Sequence, residues 1–338
     1  MNGGEFRRVR FSDRRQTRRF VIVTVTLNPA IDQTIEVERF VEGDTNRATS
    51  IRLDIGGKGI NVARGLKALG YEPLAMGFAP GDMGRVIEDQ LADLGIGTDF
   101  TFIFGNTRTN VTIVDREHQR HTVLSAQGPN VSADDLRRLY ARIDRRLRRD
   151  TWLVVAGSLP PPCTGEVYRT LIEHADHNGA MSAVDADGPI VRDLLDRGGR
   201  PTLIKMNADE FGRIYGHPTD TEDQVFEAIA AVRDLGVPSV VVTRGRAGAV
   251  ASTADGDFRL STPDVEVVSA RGAGDAFFAG MLFGLRQGES WPDALGRGGA
   301  AGTACCLTTG NTPPNAHDSA LWSSNIIVER VGQRASSR

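Results

Sequence analysis

The sequence predicts a doubly wound α/β domain, with a mostly parallel sheet covered by helices on both faces. Three observations predict it. Short β-branched runs alternate with amphipathic helical runs, and strands joined by helices need crossover connections. Strands such as Leu153-Val154-Val155-Ala156 are apolar without a break, the pattern of burial on both faces. Residues 33–55 and 100–125 break this rhythm, alternating polar and apolar residues with no helix between, as in Thr34-Ile35-Glu36-Val37-Glu38. They are expected to join into a small antiparallel β flap, a lid over the sheet's edge, or else to be two unrelated hairpins.

Taken in order, the first strand is 21–27, short, β-branched and buried. Further strands are expected at 74–78, 152–156, 182–185, 202–205 and 239–243. Between them, helical periodicity predicts helices at 60–69, 84–94, 133–149, 165–177, 189–196, 208–215 and 222–235. Two helices rich in Gly and Ala close the pattern, at 275–286 and 291–307. Small residues there permit close helix packing or the close approach of a flat ligand. Residues 309–318 are turn-rich, and 331–338 read as a frayed tail.

A chain of 338 residues can bury a large core as one domain, expected over 21–330. Hydrophobic residues make up 40% and charged residues 25%, with a formal net charge of −3. That balance argues against nucleic acid or an acidic membrane as partner. No apolar run approaches the ~20 residues that span a bilayer. The first 20 residues carry seven arginines against Glu5 and Asp13, a local charge of +5 that leaves −8 for the rest. No apolar stretch of secretory type follows, so 1–20 is expected to be a disordered basic tail or an upstream extension of the true start. Three cysteines, Cys163, Cys305 and Cys306, do not make a disulfide framework and fit a reducing cytoplasm. The pairs His118/His121 and His174/His177 lack a third ligand nearby, which argues against zinc.

Open α/β sheets bind ligands at the carboxyl ends of their strands. Asn28 and Asp32, Gly157-Ser158, Lys205 and Asn207, and Thr243-Arg244-Gly245 all fall at such ends. The stretch Arg271-Gly272-Ala273-Gly274-Asp275 opens an apolar helix. Its small residues let backbone N–H groups converge where a helix N-terminus attracts an anion such as a phosphoryl group. A carboxylate beside a phosphate repels it unless it takes a proton from an attacking hydroxyl. Asp275 is therefore either a base for phosphoryl transfer or simply an acidic residue at a helix start. Gly56-Gly57-Lys58-Gly59-Ile60-Asn61 opens another helix. It fails the Walker A spacing, because position 52 is Arg and 59 is Gly, and it fails the dinucleotide fingerprint at Val62. It suits a phosphorylated small molecule, or is a glycine turn with an exposed lysine. Arg108 and Asn110 share one strand face, where an arginine can grip a phosphate with a bidentate fork.

These motifs occur together and in order with Gly157-Ser158-Leu159-Pro160, Lys205-x-Asn207-x-x-Glu210 and Gly272-Ala273-Gly274-Asp275. The pattern over about 21–330 resembles the ribokinase-like sugar kinases of the phosphofructokinase B type. It is most similar to the 1-phosphofructokinases, with tagatose-6-phosphate kinases next. The resemblance implies a ribokinase-like fold and an ATP- and Mg²⁺-dependent kinase of a phosphorylated ketohexose. The best substrate is fructose 1-phosphate, with tagatose 6-phosphate, fructose 6-phosphate or a non-catalytic sugar-phosphate sensor as alternatives.

The resemblance also implies roles. Asp275 is the base, and the backbone of Gly272, Ala273 and Gly274 the anion hole. Asp32, Gly57, Lys58, Asn61, Arg108, Asn110 and Ser158 surround the acceptor. Lys205, Asn207, Glu210, Thr243, Gly245, Gly248, Gly299 and Gly302 belong to the nucleotide, with Glu210 acting on magnesium through water. A monovalent cation and a homodimer through the lid complete the expectation. The chain departs from the family's usual residues at Pro162, Met206, Arg244, Ala270 and Arg271. Arg244 and Arg271 are expected to add positive charge near ATP, with Arg271 partly replacing the monovalent cation.

Overall fold

The computed structural model describes residues 22–332, so the basic tail 1–20 and most of the C-terminal tail lie outside the described residues. The chain opens on β1 (Ile22–Thr26), buried throughout. It leaves the main sheet for β2 (Ala30–Val37) and β3 (Ala48–Gly56). It returns through α1 (Lys58–Ala68), β4 (Leu74–Pro80), α2 (Gly81–Asp93) and β5 (Gly97–Ile103). A second excursion makes β6 (Arg108–Asp115) and β7 (Arg120–Leu124). There follow α3 (Ala133–Asp144), β8 (Trp152–Ala156), α4 (Gly165–His177), β9 (Met181–Asp185), α5 (Gly188–Asp196) and β10 (Leu203–Asn207). Next come α6 (Ala208–Gly212), α7 (Glu222–Asp234), β11 (Ser239–Thr243), β12 (Ala249–Thr253) and β13 (Gly256–Ser261). The chain ends with α8 (Ala273–Gln287), α9 (Trp291–Cys306), α10 (Ala316–Trp322) and β14 (Ile327–Val331).

The main sheet runs β14-β13-β12-β11-β10-β9-β8-β1-β4-β5. From β11 to β5 every pairing is parallel, as the helix–strand alternation requires. Side chains alternate across it. Val23 and Val25 of β1 join the core under α3, α4, α5 and α7, whereas Ile22 joins the one under α1, α8 and α9. The glycines of α8 and α9 serve close packing: a Cβ on Gly280 would lie 2.8 Å from Arg297 O, and one on Gly298 2.9 Å from Phe277 O. The order reverses at β1, flanked by β4 and β8, which opens a crevice at the strands' carboxyl ends.

The second sheet, β3-β2-β6-β7, is the expected lid. Its outer pairs are antiparallel, but the central pair β2·β6 is parallel. The lid boundary 100–125 needs correction. Residues up to Ile103 form β5, the parallel edge of the main sheet, because Phe100 and Ile103 are buried in the core rather than on a lid face. The antiparallel extension β12–β14 was not expected either. Among the described residues no helix is long and apolar enough to cross a membrane.

Candidate active site

A cavity of about 760 Å³ opens at the carboxyl ends of β9, β10 and β11. Every residue expected on the nucleotide side lines it: Lys205, Asn207, Glu210, Thr243, Gly245, Gly248, Gly299 and Gly302. Register explains part of this, since Asn207 and Thr243 are direct partners at the ends of β10 and β11. Asn207 also caps α6: its Oδ1 accepts from Glu210 N at 2.8 Å, and Glu210 Oε2 accepts from Asn207 N at 3.3 Å. Leu260, Val265, Val267 and Phe277 give the cavity an apolar wall.

Gly272, Ala273, Gly274 and Asp275 line the same cavity. Gly272 holds φ 80, a left-handed conformation that suits glycine, and a Cβ there would collide with Asn311. It caps α8 with no side-chain bond to the first turn, so this end carries the helix's partial positive charge without a side-chain cap. Lys205 Nζ stands 3.1 Å from the place of a Cβ on Gly274. An uncapped helix start with a buried ammonium beside it fits a phosphoryl group.

Asp185, at the end of β9, holds this floor together and was not expected in the site. Its side chain is 1% exposed. Oδ2 accepts from Lys205 Nζ at 2.8 Å and Oδ1 from Lys58 Nζ at 2.6 Å. Against burial, Lys205 and Lys58 hold Asp185 ionised, below its ordinary value. The rule of carboxylates and cations at strand ends, which singled out Lys205, applies equally to Asp185. Lys58 also donates to Glu210 Oε1 at 2.8 Å. Against burial, Asp185 and Glu210 raise Lys58 well above the usual lysine range. The ammonium expected at the acceptor phosphate is thus turned to the nucleotide cavity, because two carboxylates stand there.

The residues expected around the acceptor are tied by separate hydrogen bonds. Asn61 Nδ2 donates to Asp275 Oδ2 at 2.8 Å. Asp32 and Asn110 face each other across β2·β6, and Asn110 Nδ2 donates to Asp32 Oδ1 at 2.9 Å. A Cβ on Gly56 would stand 2.6 Å from Asp32 Oδ2, so the glycine makes room for that carboxylate. Gly57 caps α1 at φ 125. Ser158 Oγ accepts from Asn28 Nδ2 at 3.1 Å. Arg108 leaves the lid to donate to Asn28 O at 3.1 and 3.3 Å and to Ala126 O at 3.2 Å. Burial lowers its pKa from the ordinary value. Two buried oxygens, Asn28 Oδ1 and Thr34 Oγ1, have no hydrogen-bond partner.

The two departing arginines do not add free charge at the nucleotide. Arg244 pairs with Glu222 at 3.4 Å. Arg271 reaches the lid, where Nη2 donates to Thr112 Oγ1 at 2.6 Å. One nitrogen of its guanidinium is engaged there. Met206 is buried in the core and changes packing only. Pro162 follows a cis peptide bond from Pro161, a geometry that proline tolerates.

Asp275 stands where the two groups meet. Burial, then the charge of Asp185, pushes its carboxyl up to about 6, opposed by Lys205, Lys58 and the Asn61 bond. It is still mostly ionised at neutral pH and is the stronger base for the shift.

The chain is 31% identical over 288 residues to 1-phosphofructokinase of Borreliella burgdorferi, covering 85% of this chain and 92% of that protein. Escherichia coli phosphofructokinase-2 in complex with potassium superposes with a TM-score of 0.84 at 26% identity, over 90% of this chain and 98% of that one. The same enzyme with fructose 6-phosphate gives 0.82 at 25%, with the same coverage. Arabidopsis thaliana ribokinase with ribose and ATP shares the fold, with a TM-score of 0.74 at 24% identity over 90% of this chain and 98% of that one. Residues 25–318 match the family described as pfkB family carbohydrate kinase. The chain therefore belongs to the pfkB family of carbohydrate kinases, phosphotransferases with a ribokinase-like fold.

Proposed function

We propose that the protein transfers the γ-phosphoryl group of ATP to a phosphorylated ketohexose, fructose 1-phosphate, giving fructose 1,6-bisphosphate. The observation that carries this reading is the position of Asp275. It lies in the first turn of α8, on the wall of the nucleotide cavity, and is bonded through Asn61 to the acceptor side. The acceptor hydroxyl loses its proton to Asp275 as its oxygen attacks the γ-phosphorus in line, and ADP leaves. The Gly272–Gly274 backbone, Lys205 and the first turn of α8 stabilise charge on the transferring group. Asp32 and Asn110 hold sugar hydroxyls, and Arg108 would turn from Asn28 O and Ala126 O to grip the acceptor's phosphate. The paired lysines and the two carboxylates Asp185 and Glu210 fit a magnesium nucleotide. Glu210 would hold Mg²⁺ through water, and the ion would neutralise phosphate charge. The E. coli relative's potassium complex supports a monovalent cation as an additional activator.

The lid supports a homodimer. Its face away from Asp32 carries two cross-strand rows, Ile51–Ile35–Ile113 and Leu53–Gln33–Val111–Leu124. Ile51, Leu53 and Leu124 are 58–60% exposed, apolar area that a second copy would cover. Light scattering that finds a monomer at micromolar concentration would remove this part. The free cysteines fit a cytoplasmic enzyme.

Coupled ADP release tests the reaction, with fructose 1-phosphate, tagatose 6-phosphate and fructose 6-phosphate in parallel. The highest kcat/KM is expected for fructose 1-phosphate. The fructose 6-phosphate complex of the E. coli relative makes that sugar the second reading. Binding of a sugar phosphate with no ADP formed would leave a sensor rather than an enzyme.

A further inference from the structure

Asn61 can hold Asp275 in one amide orientation only. Its Nδ2 must face the carboxylate; turned over, its Oδ1 would meet the Asp275 oxygen and repel it. That orientation is set from behind. Asn311, in the turn between α9 and α10, is 8% exposed. Its Nδ2 donates to Asn61 Oδ1 at 2.9 Å, and Asn61 Nδ2 donates to Asp275 Oδ2 at 2.8 Å. The other end of the Asn311 amide is closely packed. Its Oδ1 lies against Gly272, where a Cβ would collide with it. One buried amide therefore touches the anion-hole glycine and, through Asn61, reaches the base. No sequence motif singled out Asn311.

We propose that Asn311 is a positioning residue for phosphoryl transfer: it locks the Asn61 amide in the orientation that aims Asp275 at the acceptor hydroxyl. The inference rests on the reading of Asp275 as the base. The relay moves no proton and forms no covalent bond. It decides which atom of Asn61 faces the carboxylate. Asp275 is otherwise faced by Asp185 of β9, Lys205 of β10, Lys58 of α1 and the Cys305 thiol of α9. Without the Asn61 donor, burial and Asp185 are opposed by the two lysines alone, and the base keeps its proton to higher pH.

The test uses the full chain and ADP release, with whichever of the three sugar phosphates is turned over fastest. Asn311→Asp has nearly the same shape but offers only acceptors when ionised, so Asn61 must turn its NH₂ group away from Asp275. Its kcat is expected to fall about 10- to 100-fold with the KM for ATP within about twofold, and the acidic limb of kcat to move up by about half to one pH unit. Asn311→Ala is expected to show the same signs at about 3- to 10-fold. If the aspartate variant does not fold, the alanine variant carries the test. In an Asn61→Ala background, Asn311→Ala is expected to add no further loss, since the two act as one unit. An unmoved acidic limb, or losses that multiply in the double variant, would overturn the relay while leaving Asp275 as base. Retained turnover in Asp275→Asn would instead remove the base itself.

Discussion

The proposed nucleotide half and the proposed acceptor half of the site are built on different principles. The nucleotide half is a floor of charges that satisfy one another: buried Lys205 and Asp185, at the ends of parallel strands, continue into half-buried Lys58 of α1 and Glu210 of α6 as one chain of ion pairs. The acceptor half is assembled from segments far apart in sequence, the β1 loop, the lid, α1 and the turn after α9, tied by single hydrogen bonds. It also keeps two buried oxygens without partners, Asn28 Oδ1 and Thr34 Oγ1. The difference teaches where tolerance lies. Removing one charge from the floor leaves its partners under-compensated, whereas losing one lid bond leaves the rest of the lid in place.

The largest effect is expected in the floor. Lys205→Met should cost about 3 kcal/mol of stability, the lower part of the range for breaking a buried pair, because Lys58 still faces Asp185. Chemical denaturation reads that loss, and a change under about 1 kcal/mol would show that the floor is not a coupled charge network. At the junction, burial of Asp275 sets an acidic limb. The rate should fall about tenfold per pH unit below about 6, as the base takes up its proton. A profile flat to pH 4.5 would contradict the shift. The smallest effect belongs to the lid. Arg271→Ala removes the bond to Thr112 and should raise the sugar KM about threefold, leaving the ATP KM unchanged. An equal rise in both would place Arg271 in the nucleotide half instead.

The parallel sheet was legible because buried strands and amphipathic helices leave period signals in contiguous residues. The nucleotide half was legible for the same reason: Lys205, Asn207 and Thr243 sit at strand ends that periodicity locates. Asp185 sits at such an end too, but a lone acid there matches no motif. The hairpin β12–β13 carried a turn signal in Asp255-Gly256 that stands outside the helix–strand alternation. What no local pattern holds is the direction of a long side chain. Lys58 and Arg271 lie beside glycines of the site, yet one turns to carboxylates on β9 and α6 and the other to a lid hydroxyl. Asn311 meets Asn61 across 250 residues, a pairing that only the closed fold creates.

The central claim is that Asp275 joins the two halves as the base, and Asp275→Asn tests it most directly. The amide keeps the shape and loses the proton acceptor. Turnover should fall about 10²- to 10⁴-fold while calorimetry finds sugar-phosphate binding nearly unchanged. Stability supplies the control. A carboxyl pushed up to about 6 in the folded protein binds its proton more tightly there than when unfolded. The folded state therefore loses stability as pH rises from about 4 through about 6, and the neutral amide escapes that loss at pH 7. The account predicts an inactive variant that melts no lower than the parent. A variant that keeps substantial turnover would contradict it.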